Sequence, residues 1–195
     1  MNELSYSLGV SVGMNLKEQG FNLESIEDFS KAITDVLTEQ NLAIAPDKVN
    51  QIVGEYFQQL QAKRFEEKIA EGRAYLAENA KKEGVVTLES GLQYEILTEG
   101  NGEKPAESDT VTVHYTGTLT NGQVFDSSVQ RGEPATFPVN GVIRGWVEAL
   151  QLMPVGSKWK LTIPSDLAYG ERGAGQLITP HTTLVFEVEL LSIQK

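Results

Sequence analysis

Cysteine is absent from this 195-residue sequence, and histidine occurs only twice. The first absence excludes disulfides, thiolate catalysis and cysteine-based metal sites together. The second leaves His114 and His181, far apart and without HExxH or paired-histidine spacing, so no zinc site is expected. Each falls in or next to a strand-like segment and reads as structural. Positive charge is also scarce: 16 Lys and Arg stand against 27 Asp and Glu, a formal net charge of −11. That balance disfavours nucleic acid and anionic membrane surfaces as partners. No run approaches the ~20 apolar residues that cross a bilayer. The opening MNELSYSLGVSVGMNLKEQG has neither a basic leader nor an unbroken apolar stretch, so a secretory signal is not expected there. These absences lead to the expectation of a soluble cytoplasmic protein, periplasmic only if an export signal has been removed.

Recognisable catalytic devices are missing as well. There is no GxSxG elbow. The glycine-rich stretch 170–175 is not GxxxxGK[ST] and precedes a strand rather than a helix, which disfavours a phosphate cradle. No cofactor is called for.

Proline is unevenly placed. Of seven prolines only Pro46 precedes Gly84, and Gln, Glu, Ala and Leu dominate that first part. The rest holds the other prolines, most of the glycines and alternating Val, Thr and Phe segments. The chain therefore reads as α+β: a helical part, then an antiparallel β-rich part. A first helix is expected over 2–19, with Leu4, Leu8, Val12 and Leu16 in one stripe. A second is expected over 25–39, where Ser25 followed by Asp28 resembles a capping box. Pro46 suits the first turn of a third, which could run unbroken to residue 83 with Gly72 as its soft point. Its first half is richly apolar. Its second half keeps only Phe65, Ile69 and Leu76 among charges and reads as a polar bridge.

Three helices in about sixty residues make a poor core alone, and the apolar faces of the first two are too wide for one partner. The expected organisation is a helical dimerisation domain at 1–45, joined by the start of helix three at 46–60. A long connecting helix follows at 46–84, then a second domain at 85–195. The partner for the helical domain is a second copy.

In that second domain, strands are expected over 92–97, 110–119, 124–126, 135–139, 157–163 and 182–193. Asn121-Gly122 marks a hairpin. Between the strands, NGVIRGWVEALQLM (140–153) carries Trp146, Ala149, Leu150 and Met153 at three- and four-residue spacing. A helix of two turns cannot stand alone, so it must lie on the sheet. A curved antiparallel sheet wrapped round one short helix leaves a shallow apolar bowl. Six aromatic residues gather near that helix in sequence order: Tyr115, Phe125, Phe137, Trp146, Tyr169 and Phe186. By spacing alone they fit an ordinary core better than a site.

Whole motifs say more. VHYTGTL (113–119), FDSS (125–128), VIRGW (142–146), AYGERGAG (168–175) and TLVFEVELL (183–191) occur in this order. Together they resemble the FKBP family of peptidyl-prolyl cis/trans isomerases, the receptors for tacrolimus and rapamycin, over residues 90–195. The helical part, including Tyr6-Ser-Leu-Gly and the run from Phe65 to Gly84, is similar to the Mip-type bacterial branch. Members of that branch are homodimers joined through intertwined N-terminal helices.

The resemblance implies isomerisation of prolyl bonds in unfolded or partly folded polypeptides. It places Tyr115, Phe125, Asp126, Trp146, Tyr169 and Phe186 in the catalytic pocket, and Arg131, Phe137, Val142, Ile143 and Ile178 in substrate binding. Trp146 is then the floor, while the Ile143 N–H and Tyr169 hydroxyl face a bound carbonyl. Macrolides of the tacrolimus and rapamycin type are implied inhibitors. Ala135, Gly141 and Ala174 stand where the best-known eukaryotic pattern has an aromatic residue, a glutamate and a histidine. They bear on macrolide affinity and sequence preference more than on the reaction. The alternative is a non-catalytic holdase whose dimer embraces unfolded clients.

Overall fold

A computed structural model describes residues 1–195, which form two compact units, Met1–Lys63 and Arg64–Lys195. The first unit holds α1 (Glu3–Glu18), α2 (Ile26–Leu37) and the start of α3 (Pro46–Asn79). Each start has a local cause. Asn2 accepts the Ser5 N–H at 3.0 Å and Ser25 accepts the Asp28 N–H at 3.1 Å, satisfying donors that a helix end leaves unpaired. Pro46 occupies the first helical position of α3. After α1 the chain folds back so that Phe21 stacks on Tyr56 at 5.4 Å and meets Phe57 edge-on at 4.9 Å. Even so, Leu4, Leu8, Val12, Ile33, Val36, Ile52 and Val53 remain exposed.

In the second unit a seven-stranded sheet runs in the order β1-β2-β6-β7-β3-β4, and β5 also pairs with β3. Its strands are β1 (Val85–Thr87), β2 (Gln93–Thr98), β3 (Thr110–Leu119), β4 (Val124–Ser127), β5 (Ala135–Pro138), β6 (Lys158–Ile163) and β7 (Leu184–Gln194). All neighbouring pairs are antiparallel. Register carries the core face across the sheet. Tyr115 pairs with Val188, Gly117 with Phe186, and Leu161 with Phe186. Two short helices complete the unit, α4 (Ser128–Arg131) and α5 (Arg144–Leu150).

Helix α5 presses Trp146, Ala149 and Leu150 onto this face, with Met153 just beyond its end. Only glycine permits that approach at residue 145, because a Cβ there would lie 2.5 Å from Ile163 Cγ2. The short elements β1 and α4 are absent from the sequence expectation. Neither is long enough for alternation or helical periodicity to show.

The second half of α3 differs from the polar bridge that its composition suggests. It lies on the back of the sheet, opposite α5. Gly72 is buried against Thr183, and a Cβ on it would meet the Thr183 hydroxyl oxygen at 2.5 Å. Asn79 is buried too, and its amide donates to Gln93 Oε1 at 3.0 Å and Thr162 Oγ1 at 3.3 Å. Gln93 in turn donates to the Leu76 carbonyl at 2.9 Å. Gln93 and Thr162 are Cα partners across β2 and β6, so their side chains share the back face. Helix α3 is thus held there by contacts that no hydrophobic periodicity records.

Candidate active site

The long strand β3 ends in a turn at Asn121-Gly122, where Gly122 adopts φ 86 and the Leu119 N–H donates to the Gln123 carbonyl at 2.9 Å. The return strand β4 brings Phe125 and Asp126 back beside Tyr115. Gly117 makes room for this. A Cβ on it would stand 2.5 Å from Phe125 and 2.8 Å from Phe186. Helix α4 follows at once, capped by Ser127, whose hydroxyl accepts the Gln130 N–H at 3.2 Å. The buried Ser128 hydroxyl accepts the Tyr115 N–H at 2.8 Å and lies 3.1 Å from His114 Nδ1. These bonds fix α4 to β3 and set Arg131 over Asp126.

The result is a hollow of about 420 Å³, lined by Tyr115, Phe125, Asp126, Phe137, Gly141, Val142, Ile143, Trp146, Tyr169 and Phe186. Its rings pack edge to face. Trp146 meets Tyr115 at 5.3 Å, Phe186 at 5.3 Å and Phe137 at 6.0 Å, and Phe125 meets Phe186 at 5.5 Å. Trp146 is 4 % exposed, and its indole N–H is buried without an acceptor. Ring packing, not a hydrogen bond, holds it in place.

A polar edge adjoins the rings. The Tyr115 hydroxyl donates to Asp126 Oδ2, and Arg131 Nη1 donates to Asp126 Oδ1. Arg131 Nη2 also donates to the Tyr115 oxygen at 3.1 Å, and its guanidinium sits 5.7 Å above the Tyr115 ring. Burial alone would raise the Asp126 carboxyl, but the bonds from Tyr115 and Arg131 outweigh it and hold the group below the usual carboxylate range. Burial, then the Asp126 carboxylate, pushes the Tyr115 phenol above its ordinary value. At neutral pH the edge is therefore a neutral phenol, an ionised carboxylate and a guanidinium.

Two donors at the hollow are left over. The Ile143 N–H, just before α5, and the Tyr169 hydroxyl both have no partner within the chain. Tyr169 is 40 % exposed and stands at the start of the glycine-rich loop. The structure thus gathers nine of the residues singled out from the sequence around one hollow. It does not place two others in the lining: Arg131 stands behind Asp126, and Ile178 is buried in the core and bridged to Ala174. Gly141, singled out only as a departure, does line it. Its place at the head of the 140–153 stretch was the available signal. His114 and His181 lie outside the lining, and no group of three or more His, Cys, Asp or Glu could hold a metal ion.

An aromatic hollow with a polar edge and two unengaged donors defines a class of domain that takes up a segment offering apolar surface and carbonyl oxygens. Residues 101–191 match the family described as FKBP-type peptidyl-prolyl cis-trans isomerase, and residues 1–96 match the domain found amino-terminal to it. The chain belongs to the FKBP-type peptidyl-prolyl cis-trans isomerase family. It is 55 % identical to the FKBP-type 22 kDa peptidyl-prolyl cis-trans isomerase of Escherichia coli, over 98 % of this chain and 94 % of that one. It is 45 % identical to the outer membrane protein MIP of Legionella longbeachae, over 100 % of this chain and 86 % of the relative. Among solved structures it is similar to FkpA from Escherichia coli, with a TM-score of 0.77, 36 % identity, and 98 % and 95 % of the two chains covered. The expected cytoplasmic location finds no support among these relatives, one of which is named an outer membrane protein. No helix is long and apolar enough to cross a membrane.

Proposed function

We propose that the hollow over Trp146 is where the chain isomerises prolyl bonds, with Tyr115, Phe125, Asp126, Trp146, Tyr169 and Phe186 as the catalytic surface. The observation that carries this is one cavity in which five ring systems meet two unengaged donors. The barrier to prolyl rotation comes from partial C–N double-bond character and is of order 20 kcal/mol. The planar amide is the more charge-separated form, so water favours it over the twisted form. A pocket poor in water withdraws that advantage. The Ile143 N–H and Tyr169 hydroxyl then donate to carbonyls of the peptide when the bond is twisted. Interactions stronger in that geometry than in either planar state lower the barrier, and each ~1.4 kcal/mol of preference gives tenfold in rate.

Phe137 and Val142 complete the walls, and Arg131 keeps Asp126 and Tyr115 in place. Ile178 supports the loop from the core. Tacrolimus- and rapamycin-type macrolides occupy the same hollow in this reading. The small residues Ala135, Gly141 and Ala174 alter macrolide affinity in the same reading.

The helical unit is the dimerising part, and clients are unfolded or partly folded polypeptides containing proline. The exposed apolar residues of α1, α2 and the first half of α3 support pairing with a second copy. A holdase role is favoured by the same observation, since a dimer presents two pockets to one client. Refolding of a proline-limited protein by the full chain and by Arg64–Lys195 separates the roles. Equal peptide isomerisation by both, with better refolding by the full chain, is expected. No acceleration of a proline-limited step by either sinks the catalytic reading.

A further inference from the structure

Phe65, Gly72 and Asn79 stand seven residues apart on α3 and so share one face. Gly72 and Asn79 meet the back of the sheet. Phe65 meets something else: its ring lies 5.1 Å from that of His181, at 64°, edge to face. His181 closes the loop that Tyr169 opens. Its backbone N–H donates to the Gly170 carbonyl at 2.8 Å, and the Gly170 N–H donates to the Ser165 carbonyl at 2.9 Å. His181 is held at φ 60, one of only two non-glycine residues with positive φ. Non-glycine residues keep that conformation where the surroundings enforce it. The Phe65 ring packs against the residue in question.

Tyr169 has no hydrogen bond of its own to fix its hydroxyl, so its position comes from the backbone on either side. That backbone is pinned at Gly170 by His181. We propose that Phe65 is a positioning residue for Tyr169, acting through the His181 ring and the His181–Gly170 backbone bond. Phe65 lines no part of the hollow. The inference rests on the reading of Tyr169 as a donor to the twisting bond. It adds a helix contact from outside the pocket to the determinants of rate.

The test is prolyl-peptide isomerisation by the full chain, with substrate varied to separate kcat from KM, and thermal unfolding to confirm each variant is folded. Phe65→Ala is expected to lower kcat on the order of fivefold with KM changed less than about twofold, because a displaced donor weakens the twisted state selectively. Phe65→Tyr keeps a ring and is expected to keep kcat. Tyr169→Phe lowers kcat by itself. Adding Phe65→Ala to it costs less than about twofold more, since the hydroxyl being positioned is gone. An equal cost of Phe65→Ala in both backgrounds overturns the proposal, as does an unchanged kcat in Phe65→Ala. Full activity in Tyr169→Phe overturns the donor role itself, and the positioning role with it. If Phe65→Ala does not fold, His181→Asn enters the same cycle, because asparagine removes the ring yet tolerates positive φ.

Discussion

In the unit Arg64–Lys195 nineteen hydrophobic side chains are buried, whereas in Met1–Lys63 the sole buried residue is Asp35. Both units are rich in apolar residues. What separates them is geometry. A curved sheet, a helix on its inner face and α3 on its back enclose side chains from both sides. Three helices in about sixty residues cannot do so, and their apolar faces stay open. One unit completes its core within a single chain. The other reads as half of a core.

That contrast is easiest to break at α1. Leu8→Asp with Val12→Asp places two charges on the face we assign to a second copy. Leaving them unpaired in an apolar contact costs several kcal/mol, so association is expected to weaken on the order of a thousandfold or more. Light scattering should then show a monomer, with peptide isomerisation unchanged. A native chain that is already monomeric at micromolar concentration contradicts the half-core reading.

Trp146→Ala attacks the other unit. Truncating a buried tryptophan costs ~3–5 kcal/mol of stability, and loss of the floor should lower kcat/KM on the order of a hundredfold. The oligomeric state should not change. Thermal unfolding, peptide kinetics and light scattering on the same sample read all three, and a fall in association would join what the contrast separates.

Asp126→Ala is expected to cost roughly tenfold in rate, because Tyr115 and Arg131 lose their common acceptor. The pH dependence has a definite sign. Asp126 is held below the usual carboxylate range, so its contribution is complete above about pH 4 and is lost as pH falls through its lowered value. The Tyr115 phenol, raised above its ordinary value, stays neutral past about pH 10. Activity should therefore be flat from about pH 5 to 9. A mid-range step near neutrality would show that another group governs the pocket.

The smallest expected effect sharpens the boundary between the units. Asn79→Ala leaves Gln93 and Thr162 buried without their partner and should destabilise Arg64–Lys195 by ~1–3 kcal/mol. A denaturant titration of the full chain, followed through Trp146 and Trp159, would report it. No change would mean that the second half of α3 contributes little to the unit in which it is packed.

Much of this was legible beforehand. Alternation in β3, β6 and β7, the Asn121-Gly122 turn, the cap at Ser25, the proline that opens α3 and the spacing along α5 are local signals. Each acts within a few residues of itself. The pocket residues came from the resemblance of whole motifs to a family and not from spacing, and nine of them line one hollow. Gly72, by contrast, reads as a weak point in a helix and Asn79 as one more polar residue on a solvated face. Ile178, placed in the pocket by the resemblance, is buried within the loop and outside the lining, whereas Gly141 lines the hollow and a Cβ on it would stand 2.7 Å from Pro138 Cγ.

The amino-acid sequence determined which segments become helices and strands and which faces are apolar, because those properties depend on neighbours along the chain. Only the tertiary structure decided that α3 is fastened to the sheet and that Phe65 touches the loop of Tyr169. Those contacts join Asn79 to Thr162 and Phe65 to His181 across long separations. Periodicity cannot encode such a pairing, because the partner is chosen by how the sheet and helix close on each other in space.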